Sequence, residues 1–247
     1  MTERPLADRI ALVTGATRGI GAATAIALAE AGAHVVAVGR TEGALEEVDD
    51  AIKAKGGSAT LVPMDVTDYE AIDRLGGALY QRYGHLDVFV GNAGILGPVT
   101  PLGHVDPKDW DQALCVNVTA NYRFVRSLDP LLRLSTAGRA VLVSSGAAHK
   151  ARAYWGPYTI TKAALEALGR TWAAETVTGN LKVNLFNPGP IRTRMRAKAF
   201  PGEDPMTLEV PEAAAAAILA LCLPSCEATG RLYDFPSRKF LDFQPPA

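Results

Sequence analysis

The sequence predicts an α/β domain built on a doubly wound parallel sheet with helices on both faces, and three observations lead there. Short apolar runs recur along the 247 residues, at Ile10–Val13, Val35–Val38, Ala59–Val62, Leu86–Val90, Ala140–Val143 and Val183–Phe186. These runs lack polar alternation, as expected of strands buried on both faces of a parallel sheet. Longer stretches of helical period separate them, so strand and helix alternate along the chain. No internal repeat, low-complexity tract or long linker breaks the pattern, and a single domain over 1–247 is the simplest reading.

The first helix follows from Ile20, Ala23, Ala27, Leu28 and Ala31, an apolar stripe that ends at Gly32, a good helix stop. Glu42–Lys55, Tyr69–Tyr83, Pro107–Arg133, Pro157–Thr178 and Pro211–Leu223 read as further helices. Apolar residues make up 48% and charged residues 21%, ordinary for one soluble globular domain. A net charge of -1 gives no general attraction to nucleic acid or anionic membrane. Met1-Thr-Glu-Arg-Pro lacks the apolar segment of a secretory signal, and no run reaches the roughly 18 apolar residues of a membrane span. Cys115, Cys222 and Cys226 are too few for a disulfide framework, and without nearby histidines they make no metal site. A cytoplasmic protein is the expectation.

The first strand runs into Thr14-Gly15-Ala16-Thr17-Arg18-Gly19-Ile20-Gly21 and then a helix. Glycines in such a turn let backbone N–H groups approach a pyrophosphate at the positive helix end. The spacing is Gly-x-x-x-Gly-x-Gly, and the strand before it and the amphipathic helix after it are the context that makes the motif credible. A nucleoside-triphosphate loop would carry Lys-Ser or Lys-Thr after the last glycine, where Ala22-Ala23 stands.

Tyr158 and Lys162 lie four residues apart, thirteen and seventeen residues after Ser145. On a helix, positions i and i+4 share a face. A free tyrosine has a pKa of about 10, and an adjacent fixed cation lowers it. A fall of roughly 2–3 units, about 3–4 kcal/mol, would make Tyr158 a usable acid and base near neutrality.

With these motifs the chain resembles the short-chain dehydrogenase/reductase family from about Arg9 to Thr193. The resemblance rests on Thr14 to Gly21, Asn92-Ala93-Gly94, Asn117 in Val116-Asn117-Val118, Ser145, Tyr158 with Lys162, and Pro188-Gly189 with Ile191 and Thr193 after it. It implies a Rossmann-type sheet of about seven strands in the order 3-2-1-4-5-6-7. It also implies hydride transfer between a nicotinamide cofactor and a carbonyl or secondary alcohol. Tyr158 would protonate the carbonyl oxygen, Ser145 would hydrogen-bond it, and Lys162 would tune Tyr158 and hold the nicotinamide ribose. Asn117 would anchor a water that links Lys162 to solvent. Gly15, Thr17, Arg18, Gly19, Ile20, Gly21, Asp65, Val66, Asn92, Ala93, Gly94, Pro188, Gly189, Ile191 and Thr193 would join Tyr158 and Lys162 around the nucleotide. Asp65 can also be read as a helix-capping residue, and so can Thr193.

The second strand ends in Val38-Gly39-Arg40. Gly39 stands where the resembling NAD enzymes often carry an aspartate for the ribose hydroxyls. Arg40 and Arg18 could bind a 2′-phosphate through charge-assisted hydrogen bonds. NADP(H) is therefore favoured, with NAD(H) also compatible. Two departures from the family stand out: Gly91 replaces the first of its usual two asparagines, and Leu232-Tyr233-Asp234-Phe235-Pro236 with an aromatic tail carrying Phe240 and Phe243 replaces its usual ending. These aromatics need cover from their own domain or from a second subunit, in a homodimer or homotetramer. The tail is placed at 236–247 and a short substrate lid at 194–210. Ala147, Trp155 and Met195 are expected in the pocket. Arg194, Arg196 and Lys198 either attract an acidic substrate or form a solvated face. Two rivals share this fold: an NADPH-sensing protein without turnover, and an enoyl reductase. The Tyr–Lys separation of four counts against the second.

Overall fold

The structure is a computed structural model that describes residues 4–243. Eight strands form one sheet: β1 (Ile10–Thr14), β2 (His34–Gly39), β3 (Ser58–Pro63), β4 (Val88–Gly91), β5 (Arg139–Val143), β6 (Lys182–Asn187), β7 (Leu232–Asp234) and β8 (Lys239–Leu241). Their order is β3-β2-β1-β4-β5-β6-β7-β8. The first seven are parallel, in the order expected from sequence.

Alternate residues of each strand feed two separate cores. Ala11 and Val13 of β1 join Leu28 of α1 (Gly19–Glu30), Leu45 of α2 (Glu42–Ala54) and Ile218 of α9 (Pro211–Cys222) on one face. Ile10 and Leu12 join Ile72 of α3 (Tyr69–Tyr83), Leu128 of α5 (Ala120–Leu134) and Trp172 of α7 (Gly156–Glu175) on the other. This two-sided burial is why the strands read as unbroken apolar runs.

Two expectations are corrected. The helix predicted over Pro107–Arg133 is interrupted. It consists of α4 (Pro107–Leu114), one π-helical turn at Cys115–Thr119, and then α5. Asn117 sits within that turn, and π-helical turns are common at functional sites. The sheet also has an eighth strand. Within the segment read as a tail, β8 turns back on β7 in antiparallel register, Tyr233 opposite Phe240. The aromatics there are covered by their own domain. Tyr233 stacks on Phe186 at 6.0 Å, Phe235 lies 5.9 Å from the same ring, and Phe240 packs edge-on to Tyr233 at 5.2 Å. Phe243 sits under the Arg170 guanidinium at 4.4 Å. Residues 244–247 of the expected tail lie outside the described residues.

Because the strands are parallel, the loops after β1, β4, β5 and β6 emerge at one edge of the sheet. The strand order reverses between β1 and β4, and such a switch point opens a crevice at the carboxyl ends of the strands. Among the described residues, no helix is long and apolar enough to cross a membrane.

Candidate active site

A cleft of about 950 Å³ opens at that crevice. It brings together most of the residues singled out from sequence: Gly15, Thr17, Arg18, Gly19 and Ile20 after β1; Arg40 after β2; Asp65 and Val66 after β3; Asn92, Ala93 and Gly94 after β4. Ser145 follows β5, Tyr158 and Lys162 belong to α7, and Pro188, Gly189, Ile191 and Thr193 follow β6. Trp155 and Met195 line it as well.

The floor is fixed by reciprocal hydrogen bonds between the β1 and β4 ends. Thr14 Oγ1 accepts from the amides of Asn92 and Ala93, both at 3.0 Å, and Asn92 Nδ2 donates to the Thr14 carbonyl at 2.9 Å. Gly15 and Gly19 adopt positive φ, 65° and 56°, which suits glycine. Gly21 lies beneath the cleft floor, because a Cβ there would come within 2.2 Å of the Gly15 carbonyl oxygen. Only glycine allows the start of α1 to press so closely on β1, leaving bare backbone facing the cleft. This cradle fits a dinucleotide pyrophosphate. At the β2 end, a Cβ on Gly39 would meet Thr17 Cγ2 at 2.4 Å, so any larger residue there must displace the Thr17 side chain. Arg40 is exposed and lies 3.7 Å from Asp65. Asp65 also accepts from the Thr67 amide and hydroxyl at 2.9 and 2.8 Å. Burial pushes the Asp65 carboxyl up, but the Thr67 bonds and the Arg40 charge outweigh it and hold it below its usual value. The helix α3 is capped by Asp68, whose carboxylate accepts from the Ala71 amide, so Asp65 is free of that duty.

The catalytic candidates meet at the ends of β5 and α7. Tyr158 and Lys162 point into one space as expected, with Lys162 Nζ 5.7 Å from the Tyr158 ring centroid. The electrostatics differ from the expectation. Burial pushes the Tyr158 phenol up, opposed by the Ser145 hydroxyl. Lys162 is itself desolvated, which brings its pKa down to about 8 against the opposing charge of Glu166. Its ammonium donates to the Val143 carbonyl at 2.7 Å.

Asn117 is fully buried and stands off the cleft wall. Its Oδ1 accepts from the Ile95 amide at 2.8 Å, and its Nδ2 donates to the Ile95 carbonyl and to Thr161 Oγ1, both at 2.9 Å. Its side chain therefore braces the loop after Asn92-Ala93-Gly94. Ala147, expected in the pocket wall, does not line the cleft. It belongs to α6 (Ala147–Lys150), and its amide donates to Ser145 Oγ at 3.2 Å. Thr193 does cap a helix: its Oγ1 accepts from the Arg196 amide at 3.2 Å, at the start of α8 (Arg194–Ala199), while facing Gly19 across the cleft.

Sequence reasoning missed several parts of the site. Leu96, Gly97 and Pro98 form a wall, and Asp109 and Gln112 reach in from α4. The wall directly follows Asn92-Ala93-Gly94, a signal that could have found it; the α4 residues carry none. The space beside Gly91 is another case. A Cβ there would come 2.7 Å from Asn121 Oδ1 and 2.7 Å from Leu142 Cδ2. Asn121 occupies that room and donates to the Asn117 carbonyl at 3.0 Å, so support absent at position 91 comes from α5. We expect Gly91→Asn to destabilise by about 1–3 kcal/mol through overpacking, with part of the loss recovered by adding Asn121→Ala. Thermal unfolding of the single and double variants checks this.

Of the basic lid residues, Arg196 is committed internally. Its guanidinium pairs with Glu203 at 2.6 and 2.5 Å and lies 3.7 Å over the Phe200 ring. Arg194 and Lys198 are exposed and line the cleft.

The family model for short chain dehydrogenases matches residues 9–204. The chain is 39% identical over 209 residues to the uncharacterized oxidoreductase YciK of Escherichia coli, covering 83% of this chain and 82% of that protein. A short chain dehydrogenase of Shigella flexneri complexed with NADP superposes with a TM-score of 0.91 at 36% identity, over 95% of this chain and 100% of that one. A short chain dehydrogenase of Escherichia coli complexed with NADPH gives 0.89 at 37% identity, over 95% and 99%. Together with the cleft geometry, these likenesses establish that the chain belongs to the short-chain dehydrogenase family.

Proposed function

We propose that this protein is an NADP(H)-dependent oxidoreductase that interconverts a carbonyl compound and a secondary alcohol. The observation that carries the reading is the convergence of a bare glycine cradle, Ser145, Tyr158 and Lys162 on one cleft. When bound, the nicotinamide cofactor supplies or accepts the hydride. Ser145 hydrogen-bonds the substrate oxygen and stabilises the charge that grows on it in the transition state. Tyr158, held protonated by burial, gives that oxygen its proton in reduction. Lys162 presents a positive charge beside the phenol and a donor for ribose hydroxyls. A protonated Tyr158 beside the Lys162 ammonium suits the reductive direction near neutrality.

Three observations support NADP(H) over NAD(H). Gly39 places no ribose-binding acid at the β2 end, Arg18 and Arg40 flank the site, and the similar structures named above were complexed with NADP or NADPH. A homo-oligomer in the cytoplasm, acting on a small molecule, is part of the same proposal. Leu96, Pro98, Trp155 and Met195 give the substrate an apolar wall.

The test is a screen of ketones, aldehydes and secondary alcohols, following NADPH absorbance at 340 nm. Turnover that prefers NADPH to NADH is expected. Tight NADPH binding with inactivity across the screen, together with a Tyr158→Phe variant that retains full biological function, would favour a nucleotide sensor instead.

A further inference from the structure

Glu166 is a carboxylate with only 3% of its surface exposed, and nothing above gives it a task. A buried carboxylate persists only when hydrogen-bonded or paired, and this one is both. Oε1 accepts from Ser144 Oγ at 2.6 Å, and Oε2 lies 2.9 Å from His149 Nε2. Lys162 stands one turn earlier on α7, on the same helix face. The contacts interlock at the end of β5: Lys162 holds the Val143 carbonyl, Glu166 holds the Ser144 hydroxyl, and Ser145 comes next in the chain. His149 extends the tie to α6, where Phe243 packs 6.1 Å from its ring.

We propose that Glu166 is a positioning residue for the Ser145, Tyr158 and Lys162 site. It sets a carboxylate behind Lys162 and binds β5 and α6 to α7. The proposal rests on the reading above only in assigning Lys162 a task at the reacting centre. Lys162 faces the titratable Tyr158 from α7 and the neutral Val143 carbonyl from β5; Glu166 faces His149 from α6 and the neutral Ser144 from the end of β5, with Arg170 one turn further along α7. Arg170 is exposed and lies over Phe243, which leaves Lys162 as the buried cation that senses the carboxylate. Desolvation draws Lys162 toward its neutral form, and Glu166 opposes it. The sign follows directly: neutralising Glu166 lets Lys162 lose its proton at lower pH.

The experiment is a pH titration of Lys162 by NMR in the full-length protein with labelled lysine side chains, a measurement that needs no substrate. In Glu166→Gln the Lys162 midpoint should fall by at least about one pH unit, a tenfold loss of proton affinity. Ser144→Ala, which removes one hydrogen bond and keeps the charge, should leave the midpoint in place. If Glu166→Gln does not fold, Glu166→Met serves, since apolar replacements of buried ions are often tolerated. A neutral variant that titrates with the wild type would overturn the proposal, as would Ser144→Ala moving the midpoint equally far. Where a substrate turns over, the basic limb of kcat should move down with the NMR midpoint. A shifted midpoint without turnover on any carbonyl upholds the role of Glu166 and counts against the reductase reading alone.

Discussion

Tyr158→Phe should lower kcat by about 10²–10⁴-fold, the share that a positioned acid or base contributes, while NADPH binds nearly as well as before. The substitution removes one oxygen from a side chain that is 8% exposed. The ring that packs edge-on to Trp155 at 6.0 Å is kept, so the cleft wall survives. In the proposed reaction the phenol gives a proton to a carbonyl oxygen held by Ser145. Burial raises its pKa, so it is an acid at neutral pH. Carbonyl reduction should therefore hold through neutrality, and alcohol oxidation should climb as pH rises. Steady-state kinetics in both directions, with NADPH affinity measured by fluorescence titration, check these outcomes. A collapse of NADPH affinity in the variant would make Tyr158 a structural residue.

Arg40→Ala should weaken NADPH by roughly 10–100-fold, since hydrogen bonds to charged groups contribute about 1.5–3 kcal/mol, and leave NADH nearly unchanged. The contact that Arg40 makes with the protein is a 3.7 Å approach to Asp65, with both side chains well exposed. Exposed pairs of that kind contribute about 0–1 kcal/mol, so losing this one disturbs the fold little. The neighbouring Gly39 carries no carboxylate, so under the proposed reading the 2′ position falls to Arg40 and Arg18. Equal weakening of both nucleotides, measured by calorimetry, would remove the 2′-phosphate assignment.

The parallel core was legible because strands buried on both faces, such as Val35 to Val38, have no polar positions to hide. The glycine loop was legible because close backbone approach excludes every other residue at Gly21. Other features depend on partners distant in sequence. The π-helical turn at Cys115–Thr119 leaves the apolar period of Pro107–Arg133 intact; it becomes visible only when Asn117 meets Ile95 and Thr161 across the fold. The strand β8 is three residues long, too short for alternation to declare it, and it exists because Phe240 finds Tyr233. Glu166 reads as one more charge on a helix until Ser144, twenty-two positions earlier, closes over it. The net rise of the Tyr158 pKa was hidden for a related reason: spacing gives proximity to Lys162, whereas desolvation depends on what surrounds both groups. Ala147 was placed in the pocket by its closeness to Ser145 in the chain, and α6 turns it away.

A crystal structure of the protein with NADP(H) and a bound alcohol or unreactive carbonyl analogue bears most directly on the central claim. The ligand oxygen should sit within about 3 Å of both the Tyr158 and Ser145 hydroxyls, hydrogen-bond reach for proton transfer, with its carbon against nicotinamide C4. A nicotinamide ring bound away from Tyr158, or a ligand oxygen held by other groups, would contradict it.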